Sequence, residues 1–329
     1  MLKPKISDVA KVAGVSPTTV SRVLNNRGYL SEKTKKLVYR AMEELDYVPN
    51  DLARSLYNQR SNLIGLIVPT TSNPFFGELA FHLENICDSK GFKVMICNSS
   101  NREDKEMKYW DMLSRNQVDG MIVVSYNRGV FNERKLSHPV VAIDHYLSEQ
   151  IPVVGSDNYA GGKAATTLLL EKGCKEIIHL HGPTSLNTPA NLRKKAYEDV
   201  MCKNGVRPIT LEVNEILNKQ NQQRVIEQLF NTYPNVEGIF ASDDMLAASV
   251  IREARLRNIE IPNQLKVVGY DGTEALQTFL PQLTTVQQPI EQIAETAIMK
   301  LVEMIEEKDQ SEVSYETRLP ITIKMGETT

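Results

Sequence analysis

From residue 62 onward, short unbroken apolar runs alternate with longer amphipathic stretches, and this pattern restricts the fold more than any other feature. Runs such as LIGLIV and MIVV suit strands covered on both faces, as in a parallel sheet packed between helices. Strands are expected at 63–69, 93–98, 120–124, 140–143, 177–181, 238–241, 266–269 and 284–287. Helices are expected at 77–90, 103–116, 159–172, 192–204, 221–233, 244–257 and 290–307. So long an alternation exceeds a comfortable single open sheet and predicts two α/β lobes. Ligands of such sheets bind beyond the carboxyl ends of the strands. That rule directs attention to residues 73–76, 125–127, Asp144, 242–244, Tyr270 and Asp271.

The first 45 residues follow another pattern, that of a small all-α head. Ser7 is the expected cap of a helix carrying Val9, Ala10 and Ala13, ended by Gly14 in a tight turn. Ser16 caps a second helix with Pro17 at its first position, where a missing N–H costs nothing. Ser31 caps a third, with Leu37, Val38, Ala41, Met42 and Leu45 on one face. Two short helices around Ala13-Gly14-Val15 form a helix-turn-helix whose second helix fits a DNA major groove. Val20, Val23 and Leu24 face its mini-core. Pro17, Thr18 and Arg22 are left to face bases, while Ser16, Thr19 and Ser21 offer hydroxyls to phosphates. The plainer reading of the same residues is a helical hairpin with no partner.

Charge separates the two parts. Overall the chain carries -3, but residues 1–60 hold eleven Lys and Arg against six Asp and Glu, leaving an acidic remainder. A basic head on an acidic body points to a polyanionic partner for the head alone. The cysteines Cys87, Cys97, Cys174 and Cys202 are widely spaced, with no CxxC pair, and read as reduced thiols of a cytoplasmic protein. No apolar run approaches the ~20 residues of a membrane span, and the N-terminus has no signal-peptide core. Export and membrane insertion are not expected.

The segment VAKVAGVSPTTVSRVLN, followed by SEKTKKLVYRAMEELDYVPN and DLARSL, resembles the head of the LacI/GalR family of bacterial repressors. The likeness continues through LIGLIVPTTSNPFF, QVDGMIVV, VGSDNYAGGKAA, IFASDDMLAASVI, VVGYDGTE and LTTVQQP. The resemblance implies a homodimer on a near-palindromic double-stranded operator. The head would be 1–49, a hinge helix or linker 50–60, and an effector-binding and dimerisation core 61–329. The core would have two flavodoxin-like lobes of the periplasmic-binding-protein type I kind. Their expected bounds are 61–158 with 289–319, and 159–288 with 320–329. By position, Pro17, Thr18 and Arg22 would read bases, Asn50 would join the DNA contacts, and Leu56 would wedge into the central minor-groove step. Pro17 has no side-chain hydrogen bond to give, which shifts specificity to Thr18 and Arg22. No additional leucine heptad follows residues 325–326, so dimers are expected rather than tetramers.

A sugar needs fixed acceptors and donors, since paired hydroxyls are read by carboxylate and guanidinium groups. Asp157, Arg193, Asp243 and Asp271 fall beyond expected strands or at helix starts, and also match sugar-contacting positions of the family. Phe75 and Phe76 would supply an apolar wall, with Gln288 near the lobe crossover. The alternative for each carboxylate is a helix cap, and Asp244 is read as structural. A purine would call for aromatic stacking; Trp110 reads as core. The stretch Asp144-His145-Tyr146-Leu147 with IPVVGSDNYAGGK is similar to sucrose- and fructoside-operon repressors. A phosphorylated sugar would want a second cation, for which Lys194, His145 and Arg128 all remain open.

Other signals carry less. His179 and His181 have metal-compatible spacing, but no Cys or carboxylate cluster completes a site. Gly161-Gly162-Lys163 lacks phosphate-loop spacing, and adjacent Asp243 and Asp244 are a poor glycosidase pair. The sequence thus predicts a repressor controlled by a sugar or sugar phosphate, with no cofactor, metal or catalytic residue. The alternatives are a transporter's sugar-binding protein, a sugar-active enzyme, or a regulator with a protein co-effector.

Overall fold

The structure is a computed structural model that describes residues 4–25, 27–48, 60–115, 118–125, 138–186, 188–214, 218–306 and 314–329. Asn50, Leu56 and Arg128 lie outside the described residues. The chain forms two compact units, Met1–Ser61 and Asn62–Thr329.

The first unit contains α1 (Ile6–Ala13), α2 (Pro17–Leu24) and α3 (Glu32–Glu44). Ser7 is not the cap expected of it. The helix starts two residues earlier, with Lys5 as N-cap, because Asp8 reaches back to accept the Lys5 N–H at 2.8 Å. A carboxylate in the first turn is a stronger acceptor there than a hydroxyl and also suits the helix dipole. Gly14 takes the turn with φ of 66°. Ser16 and Ser31 cap α2 and α3, accepting the N–H of Thr19 at 3.1 Å and of Thr34 at 3.2 Å. Val9, Ala10, Ala13, Val20, Val23, Val38 and Ala41 form the buried core of the three helices. Leu37 departs from expectation: it is 41% exposed, because α3 buries the stripe through Val38 and Ala41 instead.

The second unit opens with β1 (Leu63–Val68), α4 (Pro74–Ser89), β2 (Lys93–Asn98), α5 (Glu103–Arg115), β3 (Gly120–Val123), β4 (Val140–Ile143) and β5 (Val153–Ser156). It continues with α6 (Asn158–Glu171), β6 (Ile177–His181), α7 (Asn191–Lys203), β7 (Ile209–Glu212), α8 (Lys219–Thr232), β8 (Gly238–Ala241), α9 (Asp244–Leu256) and β9 (Lys266–Asp271). It ends with α10 (Glu274–Phe279), β10 (Thr284–Gln287), α11 (Ile290–Ile305), β11 (Glu316–Leu319) and β12 (Thr322–Lys324).

Two sheets result. The first, in the order β11-β5-β4-β3-β1-β2, is wholly parallel. The second, β12-β10-β9-β8-β6-β7, is parallel except for β12, which runs against β10. The chain passes between the sheets after β5, after β10, and again between β11 and β12. Each sheet carries buried clusters on its two faces, such as Leu79, Ile122 and Ile298 in one lobe and Ile239, Val250 and Leu229 in the other. Trp110 is buried among Val118, Val123 and Leu147, as a core residue.

Candidate effector pocket

The carboxyl ends of strands from both sheets and the starts of three helices enclose a cavity of about 110 Å³. One water needs only ~10–15 Å³ of such space, so the cavity suits a small organic solute. Ser125 follows β3, Asp144 follows β4, His181 ends β6, Asp243 follows β8, Asp271 ends β9 and Gln288 follows β10; all line the cavity. Asn73, Phe75 and Phe76 enter from α4, where Asn73 accepts the Phe75 N–H at 2.9 Å and Pro74 takes the first helical position. That early cap places the start of α4 ahead of the expected residue 77. The two phenyl rings meet edge to face, 5.4 Å between centroids, and provide the apolar wall.

Arg193 is the fixed cation of the site. It is buried on the first turn of α7, and its Nε donates to Asn158 Oδ1 and its Nη1 to Ser242 O, both at 2.6 Å. Its guanidinium lies 3.5 Å from the centroid of the Tyr270 ring, a stacked arrangement suited to its planar charge. The close approach depends on glycine. A Cβ at Gly162 would come within 2.8 Å of Arg193 Cα, so α6 packs on α7 backbone to backbone.

The opposing carboxylates are held less generously. Asp271 Oδ1 accepts from Gln288 Nε2 at 2.8 Å, and the Gln288 Oε1 accepts from Ser156 Oγ at 2.7 Å. Burial pushes Asp271 well above the usual carboxylate range, opposed by Arg193 and reinforced by Asp244 and Asp243. Asp243 caps α9 through the Leu246 N–H at 2.7 Å, and burial raises it as well. Asp144 is pushed up to about 6 by burial, with Arg193 and a hydrogen bond from Asn158 working the other way. Asp144 and Asp271 also sit at positive φ, 51° and 117°, a costly backbone state tolerated at sites under functional constraint.

Of the residues expected at this site, Phe75, Phe76, Arg193, Asp243, Asp271 and Gln288 line the one cavity. Asp157 does not; its carboxylate accepts the Ala160 N–H at 2.9 Å and caps α6. Asp244 is buried on Thr285 Oγ1 at 2.6 Å and the Gly272 N–H at 2.8 Å, a bracing role within the second lobe. Beyond the expected residues, Asp144 also lines the cavity, and Asn158 and Tyr270 hold Arg193 in place. Asp144 and Tyr270 carried the signal of strand ends, whereas Asn158 carried none, since its partner Arg193 is far along the chain. His179 is stacked on Phe240 and bonded to its carbonyl, and burial lowers it to about 3, so it is a neutral core residue. Among the described residues no group of His, Cys, Asp and Glu could hold a metal ion.

On the head, Pro17, Thr18 and Arg22 are exposed on α2. Ser16 Oγ is engaged by Thr19, through both its N–H and its Oγ1, and Ser21 Oγ lies within reach of the Asn25 amide at 3.4 Å. Arg22 Nε reaches the Arg27 carbonyl at 3.4 Å.

Comparison with known proteins finds a family model for each of these two units. Residues 5–50 match the family model for bacterial regulatory proteins of the lacI family, and residues 166–329 match a periplasmic binding protein-like domain. The chain is 43% identical to the sucrose operon repressor of Streptococcus mutans over 98% of both chains. It belongs to the LacI family. Within that family it is also 39% identical to the ribose operon repressor of Halalkalibacterium halodurans, over 98% of this chain and 96% of the other. Among solved structures, a periplasmic binding protein/LacI transcriptional regulator from Alkaliphilus metalliredigens, complexed with D-xylulofuranose, is 30% identical. It matches with a TM-score of 0.73, covering 82% of this chain and 99% of its own. The family read from the ordered motifs is therefore the family of the relatives.

Proposed function

We propose that this LacI-family protein represses an operon as a homodimer on a near-palindromic operator, and that a sugar in the described cavity sets its grip. The observation that carries the reading is the arrangement of Arg193 opposite Asp144, Asp243 and Asp271 beside the Phe75–Phe76 wall. Alternating donors and acceptors around an apolar face match the hydroxyls and ring carbons of a small sugar. The relatives named for sucrose and ribose operons, and the neighbour holding D-xylulofuranose, support a sugar as the ligand.

Head 1–49, hinge 50–60 and core 61–329 divide the labour, with Pro17, Thr18 and Arg22 at the bases and Ser16, Thr19 and Ser21 toward phosphates. Asp243 is occupied in capping α9 and Asp271 in holding Gln288, so neither stands ready as a general acid or base, which favours a binding protein over an enzyme. A regulator of this kind works in the cytoplasm; no described helix is long and apolar enough to cross a membrane. The sugar acts only through its different affinities for the two lobe arrangements. A thermal-shift screen of free and phosphorylated sugars, followed by operator anisotropy with each hit, tests the reading. Stabilisation by a sugar that also changes operator affinity is expected. A stabilising sugar with no effect on operator affinity would refute it.

A further inference from the structure

We infer that the effector is an uncharged sugar, and that the cavity is built to reject the same sugar carrying a phosphate. The inference rests on the sugar-effector reading and goes on to the ligand's charge. Among the described residues of the cavity, Asp144, Asp243 and Asp271 face two cations, Arg193 and Lys194. The Lys194 ammonium is already paired with Glu198 on the next turn of α7. His181 lines the same wall, but burial lowers its proton affinity and so favours the neutral ring.

Phosphates are commonly held by open helix N-termini, where unpaired N–H groups converge. The helix starts around this cavity are closed. At α4 Asn73 takes the Phe75 N–H by its side chain and the Gly77 N–H by its carbonyl. At α7 the N–H groups of Asn191, Leu192 and Arg193 bond the carbonyls of Thr188, Pro189 and Ala190 at 2.9–3.1 Å. At α9 the first turn is closed by Asp243, itself an anion, so a phosphoryl group there would meet a carboxylate instead of free donors.

Asp144 is short of donors: its Oδ1 is buried without a hydrogen-bond partner, while Asp243 and Asp271 each hold one oxygen in a protein hydrogen bond and present the other to a ligand. Sugar hydroxyls supply donors; a phosphate brings three acceptor oxygens and about -1.5 to -2 charges. The ring hydroxyls and the cavity carboxylates are therefore complementary, and an added phosphate opposes them.

The test is isothermal titration of the full-length protein with D-fructose and D-fructose 6-phosphate, and with D-ribose and D-ribose 5-phosphate. Operator anisotropy is recorded alongside. The free member of the bound pair should bind at least ~10-fold more tightly than its phosphorylated partner, about the factor that 1.4 kcal/mol gives. Asp243→Asn keeps the α9 cap, since asparagine caps as well as aspartate, and should narrow that ratio several-fold. A phosphorylated sugar binding as tightly as the free one, or a ratio unmoved by Asp243→Asn, overturns the inference while leaving the sugar reading in place. If no sugar of either kind binds a protein that still holds operator, the sugar reading itself fails.

Discussion

Replacing Arg193 with methionine tests the pocket at its centre. The guanidinium makes two short hydrogen bonds at 2.6 Å, to Asn158 Oδ1 and Ser242 O, and stacks on Tyr270. Hydrogen bonds to charged groups contribute about 1.5–3 kcal/mol each. Part of that gain is offset in the wild type by the cost of burying the cation, and methionine restores most of the volume. A net loss of about 1–3 kcal/mol in core stability is expected, or a fall in Tm of roughly 2–4 °C per kcal/mol for a unit of this size. The loss in sugar affinity should be larger in proportion. One charge-assisted bond to a sugar oxygen is worth about 1.5–3 kcal/mol, hence roughly 10- to 150-fold in Kd. Arg193→Lys keeps the charge but not the planar fork, and should recover only part of the affinity.

Titration calorimetry with the bound sugar gives Kd, thermal melts without sugar give stability, and operator anisotropy gives the response. If the methionine variant binds sugar within about threefold of wild type and still responds on DNA, Arg193 is not the anchor. If operator affinity without sugar falls in step with Tm, the loss belongs to folding. The pocket assignment predicts that the sugar-dependent change disappears well before the sugar-free one does.

Four further outcomes follow, two from the pocket and two from the head. Asp144 is raised from 3.8 to about 6, so its folded form holds a proton more tightly than its unfolded form. Its contribution to stability is therefore greatest below pH 4 and falls, by up to about 3 kcal/mol at 1.36 kcal/mol per unit, as pH rises through 6. Sugar hydroxyls favour the ionised carboxylate, so sugar affinity should rise with pH across that window and binding should release protons; Asp144→Asn should flatten the calorimetric pH profile. Gly162→Ala drives a methyl against the backbone of Arg193, which cannot rotate aside, so a loss of about 1–3 kcal/mol in thermal stability should accompany weaker sugar binding. On the head, Ser16→Ala removes the α2 cap and should lower head stability by about 1 kcal/mol. Thr18→Ala should leave the melting curve alone and reduce preference for operator over random DNA in competition anisotropy, by about 1–3 kcal/mol if a base contact is lost.

Most of the strands legible in the sequence are those whose neighbours hide both faces, the edge strand β2 being an exception. β1, β3, β4 and β8 are apolar runs buried almost throughout, and burial writes itself into composition. Four strands were not expected from the sequence: β5, β7, β11 and β12, of which β5 is buried throughout but only four residues long. ITLE and ETRL are half-buried segments at sheet edges, with no apolar run to mark them. β11 is a strand because Glu316 to Leu319 pair with Val153 to Ser156, and Glu316 accepts from Tyr146 Oη at 2.7 Å. Those partners lie far back in the chain, where no local pattern reaches.

The same distinction separates Asp157 from Asp243. Both are aspartates within two residues of a strand end and directly before a helix, and both cap that helix by accepting an N–H three residues on. Local chemistry makes them equivalent, and only one lines the cavity. Asp243 follows β8, an interior strand flanked by β9 and β6, so the loop after it opens toward the space beyond the sheet. Asp157 follows β5 where the chain leaves one sheet for the other, and its N–H is taken by the carbonyl of Leu319 at 2.8 Å. The carboxylate at that crossover is turned onto α6, and Asn158, one residue later, serves the pocket only indirectly, by accepting from Arg193, which lines it. Asp144 repeats the lesson from the other lobe: a Cβ at Gly155 would overlap its Oδ1, so a glycine on the neighbouring strand makes room for a pocket carboxylate. Residue type and helix position specify which side chains can bind a sugar hydroxyl. Strand order decides which of them do, and strand order is a property of contacts far apart in the chain.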